Sequence, residues 1–79
     1  METKQKIIDT LVNLLKVKPQ ELKEGVALLD SIGVDSTEMV EVVIALGKSF
    51  GIKIDTKEIT KFFTPEDIVK IVELKLNSK

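Results

Sequence analysis

Three stretches of this chain repeat apolar residues every three or four positions, and each is fenced by residues that start or stop helices. In residues 7–15, Ile7, Ile8, Leu11, Val12, Leu14 and Leu15 fall at helical spacing, with Asp9, Asn13 and Lys16 on the other face. This predicts a first helix over about 3–16, with Thr3 as a candidate cap. Val17-Lys18-Pro19 ends it, because the residue before a proline resists the helical region. Asp35-Ser36-Thr37-Glu38 has the form of a capping box, with Asp35 as N-cap and Glu38 reaching back from the third helical position. The helix it opens runs to about Phe50, and Gly51 closes it. Thr64-Pro65-Glu66-Asp67 opens the last helix with a cap, a proline at the first position and acids on the positive end of the dipole. Ile68, Val69, Ile71, Val72, Leu74 and Leu76 are its apolar set. Asp55-Thr56-Lys57-Glu58 repeats the capping pattern and predicts a short helix at roughly 56–62.

Residues 17–34 read as irregular, apart from one helical turn that Pro19-Gln20-Glu21-Leu22 can hold. A connection this long in so small a chain is unusual and often functional. Val26, Leu28, Leu29 and Ile32 are placed to pin it across the helices, and Gly25 and Gly33 mark its turns. Gly51-Ile52-Lys53-Ile54-Asp55 alternates like a strand, but five residues between helices make a connector. The expected fold is all-α: a bundle of three main helices plus one short helix, with a long loop between helices 1 and 2. The length of 79 residues allows a single domain, 1–79.

Composition narrows the chemistry. The chain has no Cys and no His, so disulfides, a Cys/His zinc site, a cysteine nucleophile and a histidine base are all excluded. Apolar packing must hold the fold, and 43% hydrophobic residues supply it. Catalysis by its own side chains is not expected. Twelve Lys, no Arg and thirteen acids leave a net charge of -1, which is not the basic footprint of a nucleic-acid binder. No run approaches the ~18 apolar residues of a membrane span. The N-terminal residues lack the apolar core of a secretory signal, so the expected setting is cytoplasmic, without membrane or nucleic-acid partners.

The near-zero net charge hides an uneven distribution. Residues 30–41 hold four acids and no Lys, leaving nine acids and twelve Lys for the remainder. Helix N-termini favour acids, which accounts for Asp35 and Glu38. Glu41 lies beyond the first turn and needs another reason, such as solubility or a basic partner. The second main helix is also more apolar than a one-sided surface helix requires: between Met39 and Leu46 only Glu41 is polar. Thr37, Val40, Glu41, Ile44 and Lys48 fall on one side, and Val43, Leu46 and Phe50 on another. The expectation is a core stripe plus an exposed contact stripe beginning near Ser36. Ser36 itself, with Asp35 already in the cap, is free to point outward. A phosphate there would meet unpaired amides and the positive end of the helix dipole. A calcium-binding EF-hand loop fails on this segment: Asp30 and Glu41 have the outer spacing, but Ile32, Val34 and Asp35 stand where two ligands and a glycine are needed. No metal site is expected.

At these residues the chain resembles an acyl carrier protein of the discrete, type II kind. The Gly-x-Asp-Ser motif stands as Gly33-Val34-Asp35-Ser36, followed by a helix like the family's second. Leu29-x-x-Ile32-Gly33 upstream and Phe50-Gly51-Ile52-Lys53-Ile54 downstream also fit, and the resemblance spans essentially the whole chain. It implies a non-enzymatic carrier in which Ser36 is esterified by 4'-phosphopantetheine, transferred from coenzyme A by a phosphopantetheinyl transferase (a holo-carrier synthase). The arm's thiol would carry acyl groups as thioesters for fatty-acid, polyketide or related lipid synthesis, and would supply the sulfur this chain lacks. The resemblance further implies that Asp35, Glu38, Val40, Glu41 and Ile44 meet basic docking surfaces on acyl-loading and condensing enzymes. It places the acyl pocket at Leu46, Phe50, Ile54, Ile59, Phe62 and Ile68, and implies a monomer.

The chain departs from the family pattern in several places. Thr37 replaces the usual Leu after the serine. Gly47 and Lys48 stand where fatty-acid carriers usually have acids, and Gly47 is expected to weaken its helix by ~1 kcal/mol relative to Ala. Lys57 and Lys61 make the short helix basic, and Ile59 and Phe62 are bulky at the pocket. These departures imply a specialised member. A helical interaction domain without a prosthetic group, and a D-alanyl or aminoacyl carrier, are the alternatives.

Overall fold

A computed structural model describes residues 2–78; Met1 and Lys79 lie outside the described residues. Four α-helices form it: α1 (Glu2–Leu15), α2 (Leu28–Ile32), α3 (Ser36–Phe50) and α4 (Pro65–Asn77), with a 3₁₀ turn at Pro19–Glu21 and no strand among the described residues. The all-α bundle of three long helices and one short one is therefore present. The core collects the apolar stripe of each helix: Ile7 and Leu11 from α1, Val42, Val43 and Leu46 from α3, and Ile68 and Val72 from α4. α1 packs against both α3 and α4.

The helix ends follow local chemistry. Thr3 lies inside α1 and does not cap it. Lys16 takes a left-handed conformation (φ 57°) just past the helix, and Pro19 starts the 3₁₀ turn as its fixed φ favours. The caps expected at α3 and α4 form, and at α4 Asp67 also reaches back to complete a box. Asp35 Oδ1 accepts from the Glu38 amide at 2.7 Å and Thr64 Oγ1 from the Asp67 amide at 3.1 Å. Gly51 closes α3 in the left-handed conformation. Gly47 has a packing role that its helix propensity does not reveal: a Cβ there would stand 3.0 Å from the Ile52 carbonyl oxygen. Its own carbonyl accepts the Ile52 amide at 3.0 Å, so the chain reverses tightly against it.

The short helix is not where local signals put it. Residues 56–62 form turns, and the five-residue α2 lies instead inside the long connection. The position of α2 has a non-local cause. The first amides of a helix lack partners within it. In α2 the Leu28 amide donates to the Phe63 carbonyl and the Leu29 amide to the Lys61 carbonyl, both at 2.9 Å. The 61–63 segment thus caps α2 through its own carbonyls, which docks it on the start of α2. A helix of five residues has no independent stability; α2 exists because a strap from elsewhere in the chain completes its N-terminus. The connection is pinned to α4 as well, through the Gly25 amide and Glu66 Oε1 at 2.7 Å.

Candidate functional site

The site is assembled at the start of α3. Its capping box is reciprocal: the Glu38 amide donates to Asp35, and the Asp35 amide donates to Glu38 Oε1 at 3.0 Å. Ser36 is the first residue of the helix and is exposed. Since Asp35 holds the cap, the Ser36 hydroxyl takes no part in it. The amides of Ser36 and Thr37 belong to the first turn and lie outside the box, so the serine stands over unpaired donors.

Both stripes expected of α3 are present. Met39, Val42, Val43 and Leu46 are buried, while Val40 and Ile44 remain 42% and 49% exposed. Asp30, Asp35 and Glu41 are exposed on the acidic stretch; Glu38 is half-buried, one carboxylate oxygen held by the cap. The opposite end of α3 carries exposed Lys48. The helix surface therefore runs from negative to positive, with apolar Val40 and Ile44 between.

Beside Ser36 opens a cleft of about 290 Å³. Met39, Val40, Ile59 and Phe62 form its apolar lining; Ser36, Thr56, Thr60 and Lys61 form its polar lining. The cleft lies between α3 and the 55–63 strap, and the strap's irregularity shapes it. Asp55 Oδ1 accepts the Lys57 amide at 2.8 Å and the Glu58 amide bonds the Asp55 carbonyl at 2.9 Å, closing one turn. Ile59 then drops fully into the core. Thr60 Oγ1 accepts the Phe62 amide at 3.3 Å. That turn leaves the Phe62 ring 66% exposed, with the Lys61 ammonium 5.7 Å from its centroid. Lys75 ties the strap to α4 through Glu58 at 2.8 Å. This hydrogen bond, with the one from the Asp55 amide, holds the Glu58 carboxyl below its usual range.

The six residues assigned to an acyl pocket are dispersed. Ile59 and Phe62 line the cleft, Phe62 at its exposed rim. Leu46 and Ile68 are fully buried in the core, and Phe50 and Ile54 are half-buried against it. Ile54 lines a separate open groove with Val43, Ile44, Gly47, Lys48 and Lys53. Met39, Thr56, Thr60 and Lys61 were not foreseen in the cleft. Met39 was legible, one turn after Ser36 on the same helix. The other three needed the strap's true path: a helix over 56–62 would have kept Thr56 and Thr60, four apart, on one face but turned Lys61 away from Thr56.

No helix of the described residues is long and apolar enough to cross a membrane, and no acid cluster among them has the makings of a metal site.

Comparison with known proteins agrees with this geometry. The family model for the phosphopantetheine attachment site matches residues 5–72. The chain is 37% identical to an acyl carrier protein of Wolinella succinogenes over 67 residues, covering 85% of this chain and 88% of the relative. It is 34% identical to one of Campylobacter hominis over 73 residues, 92% of each, and 32% identical to one of Thermotoga maritima over 71 residues, 90% of this chain and 88% of the relative. The chain belongs to the acyl carrier protein family, a family of non-enzymatic carriers built around a phosphopantetheine attachment site.

Proposed function

We propose that this chain is a single carrier domain that holds acyl groups as thioesters on 4'-phosphopantetheine esterified to Ser36. The observation that carries this is the position of Ser36: exposed, first in α3, and excluded from a cap that Asp35 already fills. The residues present fit the group. An anionic phosphodiester on the hydroxyl would face first-turn amides and the positive helix end, and the adjoining cleft offers both apolar and hydroxyl surface. When bound, the group supplies a thiol, which no residue of this chain can provide.

In the loading step the Ser36 oxygen bonds to the β-phosphorus of coenzyme A. The P–O bond to the α-phosphate breaks, 3',5'-ADP leaves, and the hydroxyl proton passes to a base on the transferase. This chain's part is positional: the reciprocal cap and fifteen-residue helix hold the hydroxyl on a rigid mount. The partners are that transferase and the loading and condensing enzymes. Asp35, Glu38 and Glu41 meet their basic residues, and Val40 and Ile44 supply apolar contact. Lys48 and Lys57 restrict this acidic face to the first turns of α3.

Intact mass after incubation with coenzyme A and a promiscuous phosphopantetheinyl transferase tests the reading. A gain of about 340 Da that is lost in Ser36→Ala supports it. No gain in the parent chain favours an interaction domain without a prosthetic group.

A further inference from the structure

A second, more open groove lies at the end of α3 away from Ser36, between that helix and the 51–54 connector, with a volume of about 500 Å³. Ile44, Ile52 and Ile54 give it apolar surface, and the charges that line it are Lys48 and Lys53. Its floor is fixed by the backbone. The Ile52 amide donates to the Gly47 carbonyl at 3.0 Å, and Gly51 turns the chain in the left-handed conformation.

Charge sets this groove apart from the start of the same helix. Both lysines are exposed, and neither forms an ion pair among the described residues. A cation in the last turn suits the negative end of a helix, which accounts for Lys48. Lys53 lies beyond the helix and has no such reason. The acids that follow it in the chain are committed elsewhere: Asp55 accepts the Lys57 amide at 2.8 Å, and Glu58 holds Lys75 at 2.8 Å. The uncompensated charge at the groove is therefore positive. Glu41 and Lys48 are seven residues apart, about 10 Å along the helix axis. Ile44, 49% exposed, lies between them.

We infer that the groove receives an acidic segment of a partner enzyme. An apolar side chain of that segment enters over Ile44, Ile52 and Ile54, and its flanking carboxylates meet Lys48 and Lys53. This rests on the carrier reading and names the charge pattern of the partner: a basic patch for Asp35 and Glu41, then an acidic patch about 10 Å further along. The apolar contact supplies the burial, while the charges set orientation and partner choice. A uniformly basic surface meets Lys48 as a like charge and is disfavoured. A second copy of this chain is a poorer occupant, since α3 exposes only Val40 and Ile44 as large apolar side chains and a stable interface buries about 1,200 Å² or more.

Backbone NMR of the unloaded chain tests this with two peptides. One has two leucines a helical turn apart, ringed by glutamates; the other has lysines in place of the glutamates. The glutamate peptide is expected to shift resonances within 43–54, and the lysine peptide those within 35–41. Lys48→Glu with Lys53→Glu should weaken the glutamate peptide by about fivefold or more, as should Lys48→Gln with Lys53→Gln to a lesser degree. High salt should weaken both peptides. The spectra of the free variants report that the fold is intact. A glutamate peptide that shifts nothing within 43–54, or that binds the glutamate double variant as tightly as the parent, overturns the inference. So do shifts at both ends of α3 on dilution of the chain alone, which would make a second copy the occupant. Broadening within 43–54 by phosphatidylglycerol vesicles, with no response to the peptide, would make the groove a lipid site and overturn it too. Each of these failures leaves attachment at Ser36 standing, because that is read separately from intact mass.

Discussion

Asp35-x-x-Glu38 and Asp55-x-x-Glu58 carry the same helix-start chemistry and end differently. At both, the first carboxylate accepts a first-turn amide and the second reaches back to the amide of the first, at 3.0 Å for Asp35 and 2.9 Å for Asp55. After Glu38 the chain continues for a helix of fifteen residues in all; after Glu58 it completes a turn and leaves the helical path. The difference lies downstream of the cap. Met39, Val42, Val43 and Leu46 give α3 a buried stripe at helical spacing, whereas Ile59 is the lone fully buried side chain of the strap. The strap's carbonyls, in turn, complete α2. A cap lowers the cost of starting a helix, but burial and competing hydrogen bonds decide whether it propagates. The two outcomes divide the work: the propagated copy mounts Ser36, and the arrested copy forms the opposite wall of its cleft.

The strongest attack on this comparison removes the buried anchor of each region. Leu46→Ala and Ile59→Ala are each expected to cost about 2–5 kcal/mol in urea unfolding. An Ile59→Ala cost within ~0.5 kcal/mol, as at an ordinary surface position, would mean that the strap is held by something other than its core contact. Next come the caps. Asp35→Ala should cost about 0.5–2 kcal/mol, because a full helix depends on it. Asp55→Ala should cost less, and equal losses would contradict the claim that only one copy nucleates a helix.

Gly47→Ala sharpens the account of α3. Helix propensity alone predicts a gain of ~1 kcal/mol. The Ile52 carbonyl, 3.0 Å from the new Cβ, makes the expected net effect a loss of stability, read from the shift in the urea midpoint. The smallest effect concerns pH. Glu58 has its carboxyl lowered below the ordinary 4.5 by Lys75, so its contribution is complete above that value. It is lost as pH falls through the lower, folded-state value. Acid titration of stability in Lys75→Met should lack that part of the decline; identical curves would remove Glu58 from the account.

The helices legible in the sequence were those whose signals are local. Apolar spacing and caps marked α1, α3 and α4, and Asp35 in the cap already left Ser36 facing outward. The short helix was misplaced because its determinant is not local: Leu28 and Leu29 find their partners more than thirty residues away. The cleft shared this fate. Met39 follows from the helix bearing Ser36, while Thr56, Thr60 and Lys61 depend on a strap path set by α2. Gly47 was readable as a weak point in α3, but not as the place where Ile52 closes on the helix.

The central claim is that Ser36 bears the arm. Cleavage after lysine releases residues 24–48, which contain Ser31, Ser36 and Thr37 as hydroxyl candidates. Fragmentation of that peptide from the holo protein should place the added mass of about 340 Da on Ser36 alone. The same mass on Ser31 or Thr37 would contradict the assignment.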